Sequence, residues 1–579
     1  MRCAACLPDQ RSCDGQTVQT CLEDGSGRAD VETCDGAAGE ACRSGGCAHL
    51  CTEAAKVKSN VGCEYWAADL DNANIDPTSN AAAQQYAVVV SNPQEDIAAR
   101  VTIELDDAAV GEVSRPREAI TAEIPPNGLR VFKLGPREVD GSAPNTFDTG
   151  PGTAHTRQAY RVKSHVPVVA YQFNPLDNVN VFSNDASLLK PVEALPTPGV
   201  LEVSYVVMGW PQTIAITDDP DTNFNAMNPI NLRAFVTIVG TRPDTKIRFT
   251  SATNVVAGVG LDAMAPGEKL ERVLQPFEVL NLETGDFASD FTGSLLESDK
   301  PVVVFSGAEA ADAPYFDKIA DRACCADHLE EQLDPIRTAG TTFIAAHGPN
   351  RARAVAAAGA EVTEVPEPEY YRVLAVSDEG PTRVVTNLPA PDDEFVLPQR
   401  GAHFDLMAYV DFALSSDRPV VFASIQASQD AGGVRRPLPG GDPSLVIVPP
   451  LEQFRPDYVF LTPDKYAFDF IVIAAPPDAE VTIDGRAMGE YACDTGWANG
   501  GATASLSSML EAKVHRCQLS FPIIDPDLPP EEGVFPGEQN DGVHRVLSDR
   551  NIGVLVYGFD ERVSYGYAAG TQLEAISIR

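Results

Sequence analysis

One phrase, written four times, constrains this chain more than any other feature: a short polar turn, then a Pro-Val or Gly-Val step into an apolar run. It reads Ser164-His-Val-Pro-Val-Val-Ala-Tyr171, Ser298-Asp-Lys-Pro-Val-Val-Val-Phe305, Ser416-Asp-Arg-Pro-Val-Val-Phe-Ala423 and Ser548-Asp-Arg-Asn-Ile-Gly-Val-Leu-Val-Tyr557. The anchors Pro167, Pro301, Pro419 and Gly553 stand 134, 118 and 134 residues apart, too long a period for a solenoid rung and suited to a small β-module. Each of the first three runs leads through a polar loop and a Leu-rich step (Ser183 to Pro191, Cys324 to Pro335, Gly441 to Pro449) into a new strand. The strand segments alternate apolar and polar residues and are rich in Val, Ile, Thr, Phe and Tyr, with Gly, Pro and Asp turns between them. Helical periodicity is nearly absent.

The expected fold is therefore all-β: four repeated units of about 120 residues, roughly 56–190, 191–325, 326–448 and 449–579, behind a small Cys-rich module at 1–55. Two arrangements fit. The units are tandem sandwiches, or sectors of a closed propeller-like ring in which the strand near Ser564 to Ala569 pairs beside the one near Tyr65 to Leu70.

Thirteen cysteines, nine of them before Leu70, suit an oxidising compartment. The first 51 residues are too poor in apolar side chains to build a core and need staples. Cys6, Cys13, Cys21, Cys34, Cys42 and Cys47 are expected to form three bridges of open connectivity. Cys51 with Cys63 would tie the module to the body, and Cys493 with Cys517 would close a loop near the end. The adjacent Cys324 and Cys325 either bridge each other or reach separate partners, and Cys3 is left over; zinc at Cys3-x-x-Cys6 lacks a matching second couple.

The chain has 83 acidic and 43 basic residues, a formal charge of −40 that opposes nucleic acid and anionic lipid. No apolar run is long enough to span a membrane, and Met1-Arg-Cys-Ala-Ala-Cys6 lacks the apolar segment of a signal peptide, so an export signal is expected to have been removed.

Catalytic signatures are sparse. HExxH, GxSxG and Walker loops are absent, and Gly258-Val-Gly-Leu-Asp-Ala263 precedes Pro266-Gly267 and reads as a hairpin rather than a dinucleotide site. Cys324, Cys325, Asp327 and His328 put two thiols, a carboxylate and an imidazole within five residues, as a metal or Cys-His site would require, yet the loop also reads as a structural corner equivalent to those at Asp185 and Asp442. Calcium is a candidate at Asp218, Asp219, Asp221 and Asn223, with similar oxygen-rich stretches from Asp69 to Asp76 and at Asn174, Asp177, Asn178 and Asn180; solvated turns are the simpler reading.

The stretch Lys58-Ser-Asn-Val-Gly-Cys-Glu-Tyr-Trp66, the Ser-Asp-x-Pro-Val phrases, Cys324-Cys-Ala-Asp-His-Leu-Glu-Glu-Gln-Leu333 and Gly553-Val-Leu-Val-Tyr-Gly-Phe559 with Ser564-Tyr-Gly-Tyr567 resemble the IgGFc-binding protein N-terminal domain family, in its bacterial, myxobacterial-type form, over residues 56 to 579. The resemblance implies an extracellular binding protein and carries no residue roles with it. The expectation is thus a secreted or cell-surface recognition or adhesion protein that binds an extracellular protein or glycan, is not an enzyme and needs no cofactor. Asp185, Asp327, His328 and Asp442 would present a multivalent loop surface. An extracellular hydrolase of glycans or peptides, with Asp218 and Asp221 in one cleft, is the alternative, and a structural module of a larger assembly a second.

Overall fold

The computed structural model describes residues 5–576 except 77–78, 144–149, 177–182, 225–226, 228 and 499–510. Its secondary structure is almost entirely strand. Each repeated phrase marks a corner where the chain passes from one set of strand partners to another. In Tyr160–Asn174 the residues before the phrase pair with Ala99–Leu105 and Gly62–Ala67, those after it with Ala87–Ser91 and Asp185–Leu188. Phe412–Gln426 divides in the same way between Gly340–Ala345 with Thr382–Thr386, and Glu369–Ala375 with Leu445–Ile447. Gly542–Asp560 does so between Arg455–Thr462 with Val481–Ile483, and Phe468–Ala475 with Val563–Ala568. At the second phrase the strand breaks into Leu295–Ser298 and Val302–Ala311, which belong to separate sheets.

The chemistry of the phrase explains the corner. Proline has no N–H and interrupts a ladder. The polar residue two places before it caps a neighbouring strand instead: Asp299 accepts the Lys246 N–H and Asp417 the Arg383 N–H, each at 2.8 Å, and in the fourth phrase, which has no proline, Asp549 accepts the Glu480 N–H at 2.8 Å. His165 stands in the same place at the first corner, its Nδ1 accepting the Arg100 N–H at 3.1 Å. A tyrosine closes three of the corners from the other side. Tyr65, Tyr205 and Tyr458 donate their hydroxyls to the carbonyls of Val168, Val302 and Ile552.

The sheets do not lie end to end. The short strands Asp185–Leu188, Asp327–Gln332, Leu445–Ile447 and Val563–Ala568 pack around a common axis, each touching the next and the last touching the first. The cores cross between sheets accordingly, as where Tyr171 and Phe173 pack with Tyr458, Tyr565 and Tyr567. The expected pairing of the last strand beside the first is not made: Gly62–Ala67 pairs with Tyr160–Asn174, and Val563–Ala568 with Gly542–Asp560. The two ends meet instead through a single bridge, Ser59 to Gln572, with the Leu573 N–H on the Lys58 carbonyl at 2.6 Å and the Asn60 N–H on the Thr571 carbonyl at 3.3 Å.

The N-terminal module holds a three-stranded and a two-stranded sheet, then the helix Leu50–Val57. Its bridges are Cys6–Cys21, Cys13–Cys42 and Cys34–Cys47, with Cys51–Cys63 joining it to the body. Cys3 lies outside the described residues. The module has little core of its own: Ala41 and Leu50 are buried in the core of the first sheet.

Candidate binding site

The sequence-selected acidic loops lie at the axis, not on the surface. Asp185, Asp327, His328 and Asp442 are all 0% exposed. Where four strands converge, backbone N–H groups arrive without ladder partners and need acceptors. The carboxyls supply them. Asp327 accepts the N–H groups of Asn184 at 2.8 Å, His328 at 2.9 Å and Ser564 at 3.0 Å; Asp442 accepts those of Gln429 and Cys325; Asp185 accepts those of Ala186 and Glu330. Burial, reinforced by repulsion from Asp442 and Asp185, pushes the Asp327 carboxyl well above its usual range, and burial raises Asp442 to about 7. A multivalent surface of these loops is therefore ruled out by their burial.

Nor do Asp327 and His328 converge with the cysteines as a reactive site. Successive strand residues point to opposite faces, so Asp327 caps backbone at the axis while the His328 ring stacks on Phe235 with centroids 5.9 Å apart. Cys324 and Cys325 are bonded to each other, and Cys493–Cys517 joins directly opposed positions of neighbouring strands. Gly258 to Ala263 forms a tight turn, with Gly258 bridged to Leu261.

Asp218, Asp219, Asp221 and Asn223 occupy a turn on the surface. The Asp219 carboxylate accepts the Asp221 N–H, and Asp221 pairs with Lys318 at 3.3 Å. Among the described residues three carboxylates gather on one point elsewhere: Asp71, from the oxygen-rich stretch after the first strand, meets Glu283 and Glu309 with ligating atoms all within 4.8 Å. Burial and mutual repulsion push all three up, Glu283 to about 8. Asp177, Asn178 and Asn180 lie outside the described residues.

A cleft of about 890 Å³ lies between the sheet of Phe412–Gln426 and the sheet of Gly542–Asp560. Three distant stretches build it: the loop and helix from His347 to Glu367, the turn Tyr409–Asp411, and the paired strands bearing Asp494, Trp497 and Arg516. Its floor is buried and fixed. Arg516 donates to the His347 and Gly348 carbonyls and to the Asp411 carboxylate, and both His347 ring nitrogens sit 2.9 Å from backbone carbonyl oxygens. Burial raises the Asp411 carboxyl, with Arg516 opposing. Gly496 has to be glycine here, since a Cβ would lie 2.3 Å from Asp411 Oδ2.

The rim is open and mixed. Trp497, Tyr409 and Val410 are 43%, 51% and 58% exposed, whereas Trp66 and Trp210 are fully buried. Lys513 lies over the Trp497 ring at 5.2 Å. Arg353 holds Glu364 at 2.6 Å and Asp494 at 3.0 Å, and its hydrogen bond keeps the Glu364 carboxyl below its ordinary range. Sequence reasoning missed all of these residues. The available signal was Trp497 itself, a tryptophan in a polar, Gly-rich stretch with no alternating apolar neighbours to bury it.

The scaffold is all-β and disulfide-stapled, and it carries a polar cleft rimmed by exposed aromatics. The family model for IgGFc binding protein matches residues 185–558, and the chain belongs to that family. No curated protein and no solved structure matches it. The disulfides are consistent with secretion or a surface location, and among the described residues no helix is long and apolar enough to cross a membrane.

Proposed function

We propose that this chain is a secreted or cell-surface recognition protein of the bacterial type, built from four repeated β-units, that binds an extracellular protein or glycan without catalysing a reaction. The cleft between the sheets of Phe412–Gln426 and Gly542–Asp560 is its binding site. The observation that carries this reading is the cleft's construction: exposed Trp497 and Tyr409 over a floor whose charged groups are already locked to one another. Exposed aromatics on a rigid base supply contact area at low ordering cost, whether to an apolar side chain or to the C–H face of a sugar. The planar groups of Arg353, Glu364 and Asp494 offer hydrogen bonds to hydroxyls or backbone.

Hydrolysis is the weaker reading. A glycosidase needs a protonated carboxyl free to reach the scissile bond, whereas the raised Asp411 carboxyl is taken up by Arg516 and the His347 N–H, Arg353 holds Glu364 ionised, and neither Asp218 nor Asp221 lines the cleft. The test is an array of extracellular proteins, antibody Fc included, and of glycans, probed with the native chain and with Trp497→Ala. Binding that the substitution abolishes while thermal stability is unchanged supports the cleft. Binding unaffected by it places the site elsewhere.

A further inference from the structure

Beyond the recognition cleft, one cluster of buried reactive groups has no part in binding. Lys190 and Asp334 occupy the same place after successive axial strands: each precedes a proline and then a short 3-10 turn, Val192–Ala194 in one case and Ile336–Thr338 in the other. The packing of Asp185–Leu188 against Asp327–Gln332 brings them together. Lys190 Nζ lies 3.4 Å from Asp334 Oδ1 and 3.8 Å from Glu331 Oε2, and the three side chains are only 5%, 12% and 3% exposed. The amine and carboxyl are close without being hydrogen-bonded: Asp334 Oδ1 is buried and accepts no hydrogen bond, while Nζ donates to the Gln332 carbonyl.

We propose that Lys190 and Asp334 form an intramolecular isopeptide bond, with Glu331 as the acid–base group that promotes it. Burial holds the amine and the two carboxyls together and away from bulk water. Burial pushes the Glu331 carboxyl up to about 8, so it holds a proton at neutral pH. Across the 3.4 Å contact from Nζ to Oδ1, transfer of the Lys190 proton to Asp334 gives the neutral amine and neutral acid that condensation requires. Nζ then attacks Asp334 Cγ while Glu331 protonates the carbonyl oxygen. The Nζ–Cγ bond forms, the Cγ–OH bond breaks, and the hydroxyl leaves as water with a proton from the amine. Glu331 recovers its own proton from the carbonyl oxygen, and the nitrogen keeps one hydrogen as the amide N–H. No oxidant or co-reactant is required, and the product amide replaces two buried charges with a neutral group. The third unit has Pro449 at the corresponding position, so the bond would join the first and second sheets alone.

Intact mass spectrometry of the reduced, denatured wild-type chain decides the matter. The expected mass is one water below that of the sequence, with a branched proteolytic peptide joining the segment around Lys190 to that around Asp334. Lys190→Arg and Glu331→Gln should each restore the full sequence mass, and Asp334→Asn should lose one ammonia in place of water. A wild-type chain at full sequence mass, or a loss of water without the branched peptide, overturns the proposal.

Discussion

Replacing Asp327 with alanine tests whether the axial carboxyls hold the body together. Its two oxygens receive three backbone N–H groups, from Asn184, His328 and Ser564, which come from three different sheets. The site is fully buried, so water cannot take over as acceptor. A hydrogen bond is worth about 1 kcal/mol net, and a buried donor left unpaired costs about 1–3 kcal/mol. Three such donors put the loss for Asp327→Ala at about 3–9 kcal/mol, a large share of the roughly 5–15 kcal/mol that keeps a typical domain folded. Asp221→Ala, on an exposed turn, should cost under about 0.5 kcal/mol and serves as the control. Equilibrium urea unfolding followed by tryptophan fluorescence reads both, since Trp66 and Trp210 are buried. A loss below about 1 kcal/mol for Asp327→Ala would refute the assignment of these hydrogen bonds as the axial fastening.

Two further expectations follow from burial and covalent linkage. Glu283 and Asp469 are pushed to about 8, and Asp69 to about 7, chiefly by burial, whereas the same carboxyls in an unfolded chain release protons near pH 4. Their contribution is complete below the unfolded value and is lost as pH rises through the folded ones, so melting temperature should be higher at about pH 5.5 than at about pH 8.5; a profile rising across that window contradicts the burial. Removing the Cys493–Cys517 bridge, which spans 24 residues, by alanine at both positions should lower stability by about 3 kcal/mol and leave the native circular dichroism spectrum in place. Complete loss of that spectrum would show that the bridge holds more than its own hairpin.

Much of the scaffold was legible because local chemistry and tertiary role coincide. A proline that cannot donate, preceded by an acceptor side chain, reads as a strand interruption in three of the phrases, and the fourth, without proline, keeps the acceptor Asp549 and turns the same corner. The stapled module was likewise forced by its lack of apolar residues, although spacing alone could not choose among its connectivities. Asp185, Asp327 and Asp442 misled because a polar loop ordinarily belongs in water. Their burial follows from a demand that exists only once four strands converge. The cleft was invisible for a related reason: His347, Tyr409 and Trp497 lie in separate stretches, and only the packing of one sheet against the next makes them neighbours.

The meeting of Lys58–Asn60 with Thr571–Leu573 has a mechanical consequence. The body's chain enters and leaves at one spot, held by a few backbone hydrogen bonds and the Arg455–Asn60 contact. Because Cys51–Cys63 ties the N-terminal module to the strand Gly62–Ala67, tension entering from that side reaches the first sheet through the disulfide before it loads those hydrogen bonds. The cleft, built from the loop and helix from His347 to Glu367, the turn Tyr409–Asp411 and the strands of Asp494 and Arg516, lies off that path.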